Sequence, residues 1–123
     1  MKSLFLAVLL AFSARPVFAV DMKTFYPNGK VQTEVTDQVV RTYYENGQVN
    51  TETPQLNNAP HGTAKAYYEN GTLMSETQYD NGEIAGVAKM YFENGKLMRE
   101  NNPSEGTWKQ YDENGQVMAE GRL

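Results

Sequence analysis

The chain reads as all-β: an elongated, single-layer antiparallel β-meander of about five stacked hairpin repeats. Three observations predict this. An aromatic-rich segment runs into Asn-Gly and on to a glutamate five times, as FYPNGKVQTE, YYENGQVNTE, YYENGTLMSE, YFENGKLMRE and YDENGQVMAE. The Asn-Gly pairs fall at 28–29, 46–47, 70–71, 94–95 and 114–115, spaced by 18, 24, 24 and 20 residues, the mark of an array of stacked units. Finally, Asn-Gly between short β-compatible runs is a strong hairpin signal, because tight hairpin turns need positive φ.

The first nineteen residues, MKSLFLAVLLAFSARPVFA, combine an early positive charge, a short apolar stretch and a small-residue cleavage site, and read as a secretory signal peptide cut near Ala19. Residues 20–123 then form one repeat domain, and the protein is expected to be exported, either periplasmic or secreted. Its formal charge of −4 becomes −6 when Lys2 and Arg15 leave with the leader. An acidic chain is repelled by phosphates, so nucleic acid is not an expected partner. Membrane association is not indicated, since no second apolar stretch of spanning length follows. With no cysteine, neither a disulfide staple nor thiolate chemistry is available.

Within each unit the strands flank Asn46-Gly47, Asn70-Gly71, Asn94-Gly95 and Asn114-Gly115, and further turns at Leu56-Asn57-Asn58 and Asp80-Asn81-Gly82 join successive hairpins. About ten strands of roughly 5–8 residues follow, all antiparallel. If Asn-Gly fills both central turn positions, Lys23 faces Glu34, Arg41 faces Glu52, Lys65 faces Glu76, Lys89 faces Glu100 and Lys109 faces Glu120. Such cross-strand pairs contribute roughly 0.2–1 kcal/mol each and disfavour slipped registers. Pro27 lacks the N–H that closes a two-residue turn and suits a three-residue loop with a glycine bulge. The two-residue turn is therefore expected for the Glu-Asn-Gly copies, and the first copy stays open between the two.

That register sorts the side chains onto two faces. One is apolar and includes Tyr44, Val49, Tyr68, Leu73, Ile84, Met90, Phe92, Leu97, Trp108 and Val117; the other interleaves Tyr43, Tyr67, Tyr91 and Tyr111 with the charged pairs. A single sheet lacks a second layer, so its apolar face must curl, dimerise or receive a partner, and the two unpaired edge strands of an open meander are a second place where a partner strand can bind. Tyr44, Tyr68, Leu73, Met90, Phe92 and Trp108 are the candidate binding residues. No catalytic constellation accompanies them: His61 is the only histidine, its in-frame equivalent is Ala85, and no Gly-rich phosphate loop or metal-ligand spacing occurs. No enzyme activity, cofactor or metal is expected.

The Tyr-Tyr-Glu-Asn-Gly-x-Leu-Met-x-Glu unit and its Gly-x-x-x-x-Tyr-Tyr lead-in resemble the variant class of MORN repeats, over roughly residues 23–122. The resemblance implies an elongated sheet of stacked hairpins that serves protein contacts or self-association. It also implies an antitoxin- or immunity-like role in bacteria, with a toxin as the partner. The alternative is an envelope or surface-associated scaffold for glycans or lipids, which would use the tyrosine face.

Overall fold

The structure is a computed structural model that describes residues 21–123. The expected leader and its cleavage site lie outside the described residues. The chain folds into strands β1 (Met22–Phe25), β2 (Val31–Val35), β3 (Val39–Tyr43), β4 (Val49–Leu56), β5 (Ala59–Pro60), β6 (Gly62–Tyr67), β7 (Leu73–Asp80), β8 (Glu83–Tyr91), β9 (Leu97–Asn102), β10 (Thr107–Tyr111) and β11 (Val117–Arg122). They form one sheet in chain order, with β5 as a short extra strand on β4. Every pairing is antiparallel, as short turns at both strand ends require. The sheet does not close, so β1 and β11 are its two edges.

Among the described residues there is no second layer. Among the described residues no hydrophobic side chain is fully buried, and Ile84, Met90, Phe25 and Met118 are more than two-fifths exposed. Cohesion comes from cross-strand pairs and from contacts between neighbouring hairpins, since the described residues hold no buried core to supply it.

The Glu-Asn-Gly turns are not the expected two-residue kind. In the third hairpin, Gly71 N–H donates to Tyr68 O (2.9 Å) and Tyr68 N–H donates to Thr72 O (2.8 Å), which encloses Glu69, Asn70 and Gly71 in a three-residue loop. The other four hairpins close identically, at Tyr26–Lys30, Tyr44–Gln48, Phe92–Lys96 and Asp112–Gln116. The glycine alone takes positive φ (+87° at Gly71), while Asn70 stays right-handed. Its side chain instead accepts the Thr72 N–H at 2.9 Å, bracing the loop. The two-residue turn does occur, on the opposite rim: Asn57-Asn58 (φ 52° and 62°) and Asn81-Gly82 (48° and 87°) have the positive pair a type I′ turn demands.

Each hairpin then carries a bulge that offsets its loop. Tyr67 faces Leu73 while Ala66 faces Ser75, so Met74 is the extra residue. The same shift leaves Gln32, Asn50, Met98 and Met118 unpaired in the other hairpins. A three-residue loop displaces the register by one residue and the bulge displaces it back. Beyond the bulge, Lys65 stands directly opposite Glu76.

Candidate functional site

The bulge redistributes the faces. Facing residues share a side of the sheet, so Leu73 opposite Tyr67, Val49 opposite Tyr43, Leu97 opposite Tyr91 and Val117 opposite Tyr111 all belong to the charged, tyrosine-bearing face. This corrects the expectation that Leu73 and its equivalents lie with Tyr68 and Met90.

On that face the charged residues form one continuous row. Within hairpins, Lys23 faces Glu34, Arg41 faces Glu52, Lys65 faces Glu76, Lys89 faces Glu100 and Lys109 faces Glu120. Between hairpins, Glu34 faces Arg41, Glu52 faces Lys65, Glu76 faces Lys89 and Glu100 faces Lys109. Base and acid thus alternate across ten strands. The closest contacts are at the start: Lys23 Nζ lies 2.9 Å from Glu34 and Arg41 Nε 2.6 Å from Glu52. Hydrogen bonds from Lys23 and Tyr43 hold the Glu34 carboxyl below the usual carboxylate range. Its bond to Glu34 raises the Lys23 ammonium in turn.

Two of the first-position tyrosines, Tyr43 and Tyr91, lock into this row. Tyr43 OH donates to Glu34 (3.0 Å) and Tyr91 OH donates to Glu76 (2.7 Å). Desolvation, then the bond to Glu76, pushes the Tyr91 phenol up to about 12. An open depression of about 350 Å³ lies over the row, lined by Thr63, Lys65, Glu76, Gln78, Gly86, Val87 and Lys89.

The second tyrosine points to the other face and spans to the next repeat. Tyr26 OH donates to Tyr43 O (2.7 Å), Tyr44 OH to Tyr67 O (2.7 Å) and Tyr68 OH to Tyr91 O (2.8 Å). Two candidate binding residues, Tyr44 and Tyr68, are therefore inter-repeat staples whose hydroxyls are already committed. Phe92 occupies the same position without a hydroxyl. Sequence reading missed this ladder, although the aromatic pair recurring before each Asn-Gly was its signal.

What remains available on this face clusters beyond the staples. Met90, opposite Ser75 and Arg99, is 44% exposed, and Ile84, opposite Tyr79, is 54% exposed. Phe92 lies two residues past Met90 on the same side. Trp108 packs flat beneath the Arg99 guanidinium, 4.8 Å from the ring centroid. Its indole runs over Gly121, where an added Cβ would sit 2.9 Å from Nε1, so a larger residue there would force the ring to move. The candidate binding residues are thus not one patch: Met90, Phe92 and Trp108 share a face, Leu73 does not, and the two tyrosines are structural. His61 stands 3.2 Å from the Asp80 carboxylate beside the Asn81-Gly82 turn, a partner that orients a loop residue.

Together these features define a coreless array of stacked β-hairpins with a charge row on one side and tyrosine staples on the other. The chain belongs to the MORN repeat variant family, whose model matches residues 21–36, 39–57, 60–81, 85–102 and 104–122. MORN repeats are a non-catalytic repeat type, often binding protein or lipid. No curated protein matches the chain. Among solved structures it is similar to TarM, including an S. aureus TarM mutant in complex with Fondaparinux, alpha-GlcNAc-glycerol and UDP (8% identity, TM-score 0.51) and a second TarM structure (9% identity, TM-score 0.50). Each match covers 85% of this chain and 23% of the other, so the chain spans under a quarter of TarM's length. At that identity the likeness concerns the fold alone.

Proposed function

We propose that the protein is an exported, non-enzymatic binding module that takes up another protein on the face bearing Ile84, Met90, Phe92 and Trp108. The observation that carries this reading is the absence of any fully buried hydrophobic side chain among the described residues. A sheet whose apolar side chains stay in water gains free energy by covering them, at ~25 cal/mol per Å² before association costs. Aromatic and methionine side chains are the types enriched at such contacts. The charged row on the reverse face is self-neutralised and serves register and solubility. A toxin-neutralising, immunity-like role in the periplasm fits an acidic binding module that carries a secretory leader.

The test compares the wild-type chain with Phe92→Asp in capturing a partner from an envelope extract. Loss of one defined partner, with the sheet signal in circular dichroism retained, is the expected result. Undiminished capture by the variant would move the site off this face.

A further inference from the structure

The two edges of the sheet are complementary to each other. Backbone groups in an antiparallel ladder alternate between neighbours, so their direction at each edge can be read from the bonds that are made. Thr36 N–H donates to Val39 O (2.9 Å), which puts Glu34 in the hydrogen-bonded alternation with Arg41. Its partner Lys23 therefore turns its own N–H and C=O away from the sheet, as does Phe25, and Asp21 directly precedes the strand. At the other edge Leu123 N–H donates to Gly106 O (2.9 Å). Glu120 and Arg122 accordingly direct their backbone groups outward, and Met118 is the bulged residue beside them. Each edge also bears exposed apolar side chains, Met22 and Phe25 on β1, Val117 and Met118 on β11.

We propose that β11 of one copy pairs antiparallel with β1 of a second copy, with Glu120 opposite Lys23, Arg122 opposite Asp21 and Met118 opposite Phe25. The occupant is a second copy of this chain, and the surface is the two sheet ends, which sets this apart from the face-binding reading above. Three arguments on the molecule support it. The strand directions alternate through the meander, so an added copy continues the sheet without reversal. The new junction repeats the four interior ones, where Glu34, Glu52, Glu76 and Glu100 each face a base on the next hairpin. Charge selects the register, because a slip of two residues places Glu120 opposite Asp21 in one direction or Arg122 opposite Lys23 in the other, and like charges directly opposite disfavour pairing. The contact is heterologous, joining two different edges, so it propagates into chains of copies.

Sedimentation velocity of the protein over a dilution series tests this. The expected result is a mean mass that climbs past the dimer as concentration rises. Lys23→Glu alone and Glu120→Lys alone should each weaken association at least tenfold, and an equimolar mixture of the two should recover it, since each variant then meets an opposite charge. Arg122→Pro covers any loss of folding in those variants: its N–H points to solvent, so proline removes an intermolecular donor and no internal one, and it too should cap growth. A monomer at every concentration would overturn the proposal. So would a plateau at dimer, the signature of like edges pairing, or a mixture no better than its components. Capture of a face-bound partner by Arg122→Pro would persist in either case, which separates the two readings.

Discussion

The two rims of the sheet are built from nearly the same residues and behave differently. One rim repeats a single design five times, a three-residue loop with glycine at positive φ followed by a bulge, braced by the loop asparagine in the first four copies and by Asp112 in the last. The other rim is irregular: Asn57-Asn58 and Asn81-Gly82 are tight turns with positive φ at both residues, Asp37-Gln38 reverses the chain without it, and Pro103–Gly106 makes a longer turn. The uneven repeat spacing arises on this second rim. A rim that sets register has to be uniform, whereas a rim that only reverses the chain tolerates variation. The residues flanking Asn-Gly decide which turn forms: an aromatic or Asp112 three positions before glycine closes the wide loop, while Asp80 and Glu83, paired directly, close the tight one.

The sharpest way to separate the rims is to place alanine at their asparagines. Asn81→Ala must hold a left-handed backbone and should lose ~1–2 kcal/mol in urea unfolding. Asn70→Ala keeps a right-handed backbone and should lose about 0.5–1.5 kcal/mol, the worth of one hydrogen bond. A larger loss for Asn70→Ala than for Asn81→Ala would contradict this assignment of the two backbones.

A smaller effect concerns the staples that bind the uniform rim together. Removing the hydroxyl in Tyr68→Phe leaves the Tyr91 carbonyl without its partner and should cost ~1 kcal/mol. The converse change, Phe92→Tyr, supplies a donor toward the last hairpin and should raise the unfolding midpoint. A midpoint lowered by Phe92→Tyr would show that the last interface differs from the first three.

The smallest effect is in pH. Because the Tyr91 phenol is raised to about 12 in the fold, the folded state favours its protonated form. That contribution is complete below the ordinary phenol value near 10 and disappears as pH climbs toward 12. Phenolate absorbance should show one group titrating at the high end of that window, absent in Tyr91→Phe. An ordinary value for every tyrosine would mean that the Glu76 contact is not made.

Repeat number, antiparallel order and the absence of a helix among the described residues were all legible in the sequence, because Asn-Gly punctuation and β-compatible runs are local signals. The loop type was not. Asn-Gly satisfies both turns, and only Pro27 hinted at the wider one. Counting through a two-residue turn and counting through a loop plus bulge give the same facing beyond the bulge, at Lys65 and Glu76, but opposite faces before it, at Leu73. Two offsets that cancel leave no trace in a residue count. Nor could the tyrosine roles be separated, since a ring that staples repeats and a ring that binds a partner have the same local preference for strands.

One layer of sheet leaves both faces in water, one of them free to bind. Relaxation of side-chain NMR signals by an inert paramagnetic agent in the solvent measures this directly. In the dilute protein the Ile84 and Met90 methyl groups on one face and the Lys65 and Lys89 side chains on the other should be relaxed to a similar degree. Silent Ile84 and Met90 signals beside strongly relaxed lysines would reveal a covered face and contradict that exposure.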